Sequence, residues 1–400
     1  MITTLTLHNW KSFENASLLI DQITFLIGTN ASGKSNIVDA LIFLSRLISG
    51  ERLADVCKSI RGGIDQIVRR GSNCASLEVV FKDNETTYKY TLKFSISNAE
   101  AYVDSESLKI SIKEDIWRYL FSTDIVLDNE PSQIITLFDK DRLGSGSKKG
   151  ISLRRDMTIL SQVQGLNVLK VIKDGAKAAL DSFASIYVLD PNPARMREYV
   201  ALSENLNSDG SNVAGVIAAL SEDRPKEFED TLTKYVSKLP ERDIRRIWAE
   251  RVGRFKDTAM VYCLEDWGDP EHTMEIDARA MSDGTLRFIA IIVALLTRKS
   301  DSLIVIEEID NGLHPSRAGE LVYALTEIAT SRDFDVLCTT HNPVLIDALG
   351  TEVLDSVSCV NREGIHGSAS IFRLTERPDF LRQLARYTPG NMMTKNLFTS

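Results

Sequence analysis

No apolar run in this sequence is long enough to cross a bilayer: the longest, Phe288 to Leu296, falls well short of the roughly 18 to 20 residues that a spanning helix needs. The amino end, Met1-Ile-Thr-Thr4, has neither the basic start nor the apolar stretch of a secretory signal. There is no excess of positive charge either. Lys plus Arg number 47 against 56 Asp plus Glu, a formal charge of -9, so the chain as a whole is not drawn to polyanions and any nucleic-acid contact must come from a local basic patch. Cysteine is scarce and scattered: Cys57, Cys74, Cys263, Cys338 and Cys359 form no close pair at metal-ligand spacing. That excludes a disulfide-stapled miniature and suits a reducing compartment. The cytoplasm, with no membrane partner, is the expected setting. With 43% of its 400 residues hydrophobic and 26% charged, the chain can bury a full-sized core, as one large domain or a domain with an insertion.

Period-two alternation from Ile2 to Leu7, a short strand near Ser17 to Ile20 and the run Ile23 to Ile27 predict a small mixed sheet at the amino end. Beyond it Ile37, Leu41, Leu44 and Ile48 recur at helical spacing, so a glycine-rich loop joins a buried strand to a helix. Ser76 to Phe81 and Tyr88 to Ile96, around Asp83-Asn84, read as a hairpin that Ala101 to Ile112 extends. Between about residue 112 and residue 265 the texture reads as mostly helical, with a Gly/Ser/Lys loop at Gly144 to Gly150 and a proline-marked break at Asp190 to Pro193. The expected organisation is therefore a core in two parts, residues 1–112 and 266–400, with residues 113–265 as a compact helical lid. The longest helical candidate there, Thr158 to Ala184, is too short for a coiled-coil rod. The second part alternates a helix Leu286–Arg298, a strand Leu303–Ile306, a helix from about Pro315, a strand Val336–Thr339 and a helix opening at Pro343. This is the pattern of a parallel sheet covered on both faces.

Gly28-Thr-Asn-Ala-Ser-Gly33-Lys34-Ser35 fits G-x-x-x-x-G-K-[ST] between a strand and a helix. Its glycines let backbone N–H groups curl around a phosphate, Lys34 reaches the outer phosphates and the Ser35 hydroxyl can ligate Mg2+. Gly28, Asn30, Ser32, Gly33, Lys34, Ser35 and Asn36 are the candidate nucleotide contacts. Leu303-Ile-Val-Ile-Glu307-Glu308 is an apolar strand ending in two carboxylates. Adjacent strand residues point to opposite sides, which assigns Glu307 to the metal and Glu308 to the attacking water as general base or orienting group. Ser282 and Gly284, at the head of the apolar helix that follows Met281, offer a second phosphate cradle, although Ser-Asp-Gly-Thr alone is an ordinary helix cap. His341, in Thr340-His341-Asn342-Pro343, stands at a strand end.

Four further features carry less. Lys11-Ser12-Phe13 can pack beside the phosphate loop or be a simple turn, Arg61 can reach the nucleotide, and Gln66 can sense the metal. Lys140, Arg142, Lys148, Lys149, Arg154 and Arg155 stand against Asp141 alone, a run that reads as a solvated loop or as a contact for a nucleic-acid backbone.

The ordered set resembles the RecF/SMC-like branch of ABC ATPases: Asn9-Trp-Lys-Ser-Phe13, Gly33-Lys-Ser-Asn36, Met281-Ser-Asp-Gly-Thr-Leu-Arg287, Ile306-Glu-Glu-Ile-Asp-Asn-Gly-Leu-His-Pro315 and Thr339-Thr-His-Asn-Pro343. More narrowly it is similar to the OLD-like and AbiEii-like AAA-type ATPases of bacteria, whose lid Leu189-Asp-Pro-Asn-Pro193 and Asp209-Gly-Ser-Asn-Val213 also resemble. The resemblance implies an α/β fold, an ABC-type ATPase head with a mostly parallel sheet, an amino-terminal antiparallel sheet and a helical lid. It implies ATP and Mg2+, and a homodimer or higher homo-oligomer in which Lys34 and the switch histidine His341 of one chain share a phosphate with Ser282 and Gly284 of another. Asp310 to Pro315 falls where the D-loop couples two such sites, with His314 where that loop usually carries Asp. Members commonly act in DNA repair or phage defence beside a nuclease. OLD proteins add a Toprim nuclease after the ATPase, for which the residues between His341 and Ser400 are too few, so the expected effector is separately encoded. The alternatives are a RecF-like DNA-binding repair ATPase and an ATP-binding scaffold with little turnover. A transporter subunit is disfavoured by the distance from Ser35 to Met281.

Overall fold

Leu5 and Leu7 are fully buried while His8, next to them in the first strand, is exposed, the alternation of a strand packed on one face. A computed structural model describes residues 1–400 apart from 48, 114–115, 126–131, 138–149, 224–226, 240–243, 267–271, 364–366, 396 and 398–400. The first part holds β1 (Ile2–Trp10), β2 (Phe13–Leu19), β3 (Ile23–Ile27), α1 (Lys34–Leu47), α2 (Leu53–Ser59), β4 (Cys74–Asp83), β5 (Thr86–Ser97) and β6 (Glu100–Lys113). There follow β7 (Ile116–Ile125), β8 (Ser132–Leu137), β9 (Gly150–Arg154), α3 (Ile159–Val163), α4 (Lys170–Ala184), β10 (Ile186–Leu189), β11 (Val200–Ala201), α5 (Val213–Asp223), α6 (Glu227–Val236), β12 (Ile244–Val252) and β13 (Thr258–Glu265). The last part holds β14 (Met274–Asp277), α7 (Asp283–Thr297), β15 (Leu303–Ile306), α8 (Ala318–Arg332), β16 (Asp335–Thr340), α9 (Pro343–Ala348), β17 (Val357–Glu363), β18 (Ser368–Arg373), α10 (Phe380–Leu384) and α11 (Pro389–Thr394).

The parallel block and the amino-terminal antiparallel strands form one continuous sheet in the order β10-β15-β16-β3-β17-β18-β2-β1-β4-β5-β6-β7-β8-β9. β10, β15, β16, β3 and β17 are parallel neighbours, and the strands from β2 to β9 are antiparallel. The two regions join where β18 meets β2 at a single register pair, Ala369 with Phe13, and the Ala369 N–H donates to the Ser12 carbonyl at 2.8 Å. β11, β13, β12 and β14 make a smaller antiparallel sheet.

The central strands are apolar on both faces and divide the core in two. Phe25, Ile304, Ile306, Val336 and Cys338 face a cluster containing Phe288 and Ile292 of α7 and Leu321 and Leu325 of α8. Leu26, Val305 and Leu337 face Ile37, Leu41 and Leu44 of α1 and Phe183 of α4. The sheet therefore separates α1 from α7. All five cysteines are free thiols, and among the described residues no helix is long and apolar enough to cross a membrane.

The expected helical lid is corrected here. Residues 113–265 hold β7, β8, β9, β12 and β13 as well as helices, and their β10 is part of the central parallel sheet, paired with β15. The period-two signal of these strands is broken by register shifts at Leu108/Lys109, Ser111/Lys113 and Thr123/Ile125, and by another at Ile244/Arg246. That last bulge leaves buried Ile244 and Ile247 three residues apart, the spacing of a helix. The long candidate helix Thr158 to Ala184 is two, α3 and α4.

Glu106 on β6 ties α3 to the antiparallel arm. Its carboxylate accepts the N–H groups of Ile159 at 2.6 Å and Leu160 at 2.9 Å and the Tyr90 hydroxyl at 3.0 Å. Burial pushes its pKa up from 4.5 to about 7, against these bonds. Between those values the folded chain keeps a proton that the unfolded chain has lost. Its contribution to stability is thus full below about pH 4.5 and lost as the pH rises through about 7. Asp335, also pushed to about 7 by burial, acts in the same direction. Chemical denaturation of Glu106→Gln across this window should show a shallower loss of stability with pH than the parent chain; an unchanged slope would mean that Glu106 does not titrate there.

Candidate active site

Three neighbouring strands end at one edge of the sheet. β16 lies between β15 and β3, with Ile306 level with Cys338 and Thr340 level with Ile27. The residues that follow, Glu307, His341 and Gly28, emerge side by side, at the carboxyl edge where open parallel sheets bind ligands.

β3 runs through the phosphate loop into α1, which starts at Lys34. Gly33 has φ +119°, and a Cβ there would meet Ser12 Oγ at 2.9 Å and Phe13 Cζ at 3.2 Å. A Cβ on Gly28 would meet the Val360 carbonyl oxygen at 2.3 Å. Both positions leave room only for glycine. Lys34 Nζ donates to the carbonyls of Gly28 at 2.7 Å and Thr29 at 3.1 Å. Burial lowers the pKa of this amine, and Glu308 and Asp310 oppose that. Ser32 Oγ is buried without a hydrogen-bond partner, a deficit that a phosphate oxygen in the cradle would fill. Asn30 and Ser35 are exposed. Asn36 braces the loop: its Nδ2 donates to Ser12 Oγ at 2.8 Å and its carbonyl accepts the Trp10 indole N–H at 2.8 Å.

The two carboxylates are separated by a turn rather than by strand alternation, because β15 ends at Ile306 and Glu308 has φ 45°. A left-handed glutamate costs on the order of 1 kcal/mol or more and persists where surrounding bonds hold it. Here the Glu308 N–H donates to Thr339 Oγ1 at 2.9 Å, and Asn311 Nδ2 donates to Glu308 Oε2 at 3.3 Å. Glu307 is nearly buried and takes both terminal nitrogens of Arg61 at 3.1 Å. Burial raises the Glu307 pKa and Arg61 works against it. Arg61 also donates to Asp39 Oδ1 at 2.8 Å, and Lys11 to Asp39 Oδ2 at 2.6 Å. Burial opposes the Arg61 charge, yet Asp39 and Glu307 together raise its pKa.

Ser35 and Glu307 are hard oxygen donors of the kind Mg2+ prefers, and the Arg61 guanidinium already marks the carboxylate as a seat for positive charge. Among the described residues no group of three or more His, Cys, Asp and Glu is placed to hold a metal alone. A cation here would draw its remaining ligands from phosphate oxygens and water, as Mg2+ usually does.

On the other face, Ser282 caps α7, accepting the Thr285 N–H at 3.1 Å, and is exposed. Gly284 is buried: a Cβ on it would meet the Gly312 carbonyl at 2.5 Å. Arg197 holds this turn through the carbonyls of Ala278 and Met281 and the Asp283 carboxylate. His341 is exposed between β16 and α9, whose first turn is capped by Asn342 and opens with Pro343.

The remaining candidates fall elsewhere. Gln66 is exposed and packs over Gly62. His314 Nδ1 is bonded to Ser316 Oγ at 2.7 Å. Of the basic run, Lys140, Arg142, Lys148 and Lys149 lie outside the described residues. Arg155 is buried, its Nε donating to the Val103 carbonyl at 3.2 Å with Asp104 beside it, and Arg154 is paired with Asp156. Burial makes Arg155 a structural residue rather than a nucleic-acid contact, whereas Arg154 stays at the surface. Asp39 is absent from the sequence expectations, and Asp310, Thr339 and Thr340 stand there inside motifs without a role of their own. Asp39 had a signal, lying one turn after Ser35 on the same helix face.

The family described as "AAA domain, putative AbiEii toxin, Type IV TA system" matches residues 23–347. The chain is 41% identical over 69 residues to a DNA replication and repair protein RecF of Nocardioides sp., covering 17% of this chain and 16% of that protein. It is 28% identical over 113 residues to RecF of Rickettsia canadensis, covering 28% of each. The matches thus span 28% or less of these relatives' own length. In fold, the chain is similar to an Smc head solved bound to the C-winged helix domain of ScpA, with a TM-score of 0.53 and 16% identity over 93% of this chain and 97% of that one. An Smc head domain with an extended coiled coil from Pyrococcus furiosus, solved with the C-terminal domain of ScpA, gives a TM-score of 0.50 at 12% identity over 96% and 99%.

Gly33→Ala should weaken binding of a fluorescent ATP analogue by about tenfold or more, as the loop shifts to relieve the Cβ contacts with Ser12 and Phe13, and should lower the melting temperature by a few degrees through the same strain. Affinity equal to that of the parent chain would remove this loop from the site.

Proposed function

The chain belongs to the family described as "AAA domain, putative AbiEii toxin, Type IV TA system", on the RecF/SMC-like branch of ABC-type ATPases, and from that premise we propose that it is an ATP-hydrolysing switch of the cytoplasm. In this reading two copies close over two ATP molecules, and closure controls a separately encoded effector, such as a nuclease, in antiphage defence. The observation that carries the two-copy reading is the division of the core. Lys34 and Ser35 begin a helix on one face of the sheet, Ser282 caps a helix on the other, and the sheet stands between them. The exposed Ser282 is thus presented away from its own phosphate loop and is available to another chain's. The setting in defence draws on the family description, which names a toxin of a toxin–antitoxin system.

Each side chain has a role that its surroundings suit. Lys34, its charge sustained by Glu308 and Asp310, exchanges two carbonyl partners for the outer phosphates. Ser32 donates its unpartnered hydroxyl. Ser35 and Glu307 hold Mg2+, which when bound supplies charge neutralisation at the phosphate oxygens. Glu308, exposed and aimed by Thr339 and Asn311, orients the attacking water and takes its proton. His341 contacts the terminal phosphate from the same chain and the amino end of α7 from the partner copy.

The RecF matches favour a second reading, in which the same switch acts on DNA directly. Its basic contacts would have to lie outside the buried Arg155. DNA binding at low salt that is indifferent to ATP and to the Lys140–Lys149 charges would speak against it.

Glu308→Gln should lower turnover by about a hundredfold or more and make ATP trap a dimer visible by light scattering, whereas Lys34→Ala should stay monomeric with or without ATP. A Glu308→Gln chain that turns over normally, or that never associates in ATP, would overturn the switch.

A further inference from the structure

His341 sits in a crossing of three residues whose two sides are fixed by one hydroxyl. Thr340, fully buried, is held in the ladder level with Ile27. On the far side the Asn342 N–H turns back and donates to Thr340 Oγ1 at 3.0 Å. The same hydroxyl donates its proton to Asp310 Oδ1 at 2.6 Å. A threonine hydroxyl has one proton to give, and here it is committed to a carboxylate only 8% exposed. The lone pair that receives Asn342 is therefore set by where Asp310 stands.

Asp310 is itself held in place. Glu308 and Ile309 donate their N–H groups to Thr339, at 2.9 Å on Oγ1 and 3.1 Å on the carbonyl, and the Leu313 N–H donates to the Asp310 carbonyl at 3.0 Å. One residue earlier in that turn, the Gly312 carbonyl lies against Gly284 at the head of α7. The segment carrying Asp310 thus runs from the water-orienting carboxylate to the turn at the head of α7, and its side chain reaches sideways to the Thr340 hydroxyl that bonds the Asn342 N–H.

We propose that Asp310 is a positioning residue for ATP hydrolysis, acting through the Thr340 hydroxyl to aim His341. The inference rests on His341 being the phosphate contact described above. Removing the hydroxyl releases the Asn342 N–H and lets the crossing relax. A displacement of about 1 Å at a reacting phosphate is enough to cost about a hundredfold in rate. ATP binding, which depends on the phosphate loop, is largely untouched.

The test is a set of steady-state ATPase measurements on the full chain. Thr340→Val keeps the branched shape and loses the hydroxyl, and should lower kcat by about ten- to a hundredfold with KM within about twofold. Thr340→Ser restores the hydroxyl and should recover turnover to within about threefold of the parent. In a His341→Ala background Thr340→Val should have no further effect on kcat, since the two act as one unit. Should Thr340→Val fail to fold, Thr340→Ala supplies the same cycle, its kcat loss likewise vanishing when His341 is absent. Parent-like turnover of Thr340→Val, or an equal loss with and without His341, overturns the positioning role. If His341→Ala itself turns over normally, the underlying assignment of His341 fails instead, and the two failures are told apart by that single variant.

Discussion

The structure depends on the parallel register of β15, β16 and β3. With Ile306 beside Cys338 and Thr340 beside Ile27, the chain leaves all three strands within one strand spacing of its neighbours, roughly 4.8 Å apart. A one-residue slip of β16 would turn its buried faces over and carry His341 away from Gly28. The apolar character of these strands on both faces enforces the register, since Val336, Leu337 and Cys338 are all fully buried between two helical layers.

Those layers make the chain asymmetric in a useful way. The cationic equipment is gathered on the α1 side, where Asp39 and Glu307 hold Lys11 and Arg61 in an ion-paired net and Lys34 is held by the carbonyls of Gly28 and Thr29. The α7 side offers a helix amino terminus instead, whose exposed cap is Ser282 and whose first residue, Asp283, is paired with Arg197. The two faces of the sheet thus carry different equipment, an ion-paired net on one and a capped helix end on the other.

Much of this was legible from residue order. The phosphate loop announced itself because a strand, a glycine turn and a helix with Ile37, Leu41 and Leu44 on one side occur in direct succession, and β15 is four apolar residues bounded by polar ones. The antiparallel arm was legible up to β6, where alternation is regular in β4. It was lost beyond, because bulges interrupt the period and the large apolar side chains Ile116 and Tyr119 stand exposed on β7. The buried network around the site was hidden for another reason. Asp310, Thr339 and Thr340 are buried polar groups satisfied by residues about thirty positions away, at distances that only tertiary pairing sets. The separation of Glu307 from Glu308 was foreseen, but by the wrong device, since a left-handed backbone at Glu308 does what strand alternation was expected to do.

The joint between β18 and β2 carries a mechanical consequence. A hydrogen-bonded sheet resists shear in proportion to the rungs that cross each gap, and this gap has one register pair where its neighbours have six. A Cβ on Gly33 would touch both residues of that pair, Phe13 and Ala369. The arm from β4 to β9 is therefore joined to the parallel strands by one rung of the ladder, which packs against Gly33, and by the shared core beneath α1 and α4.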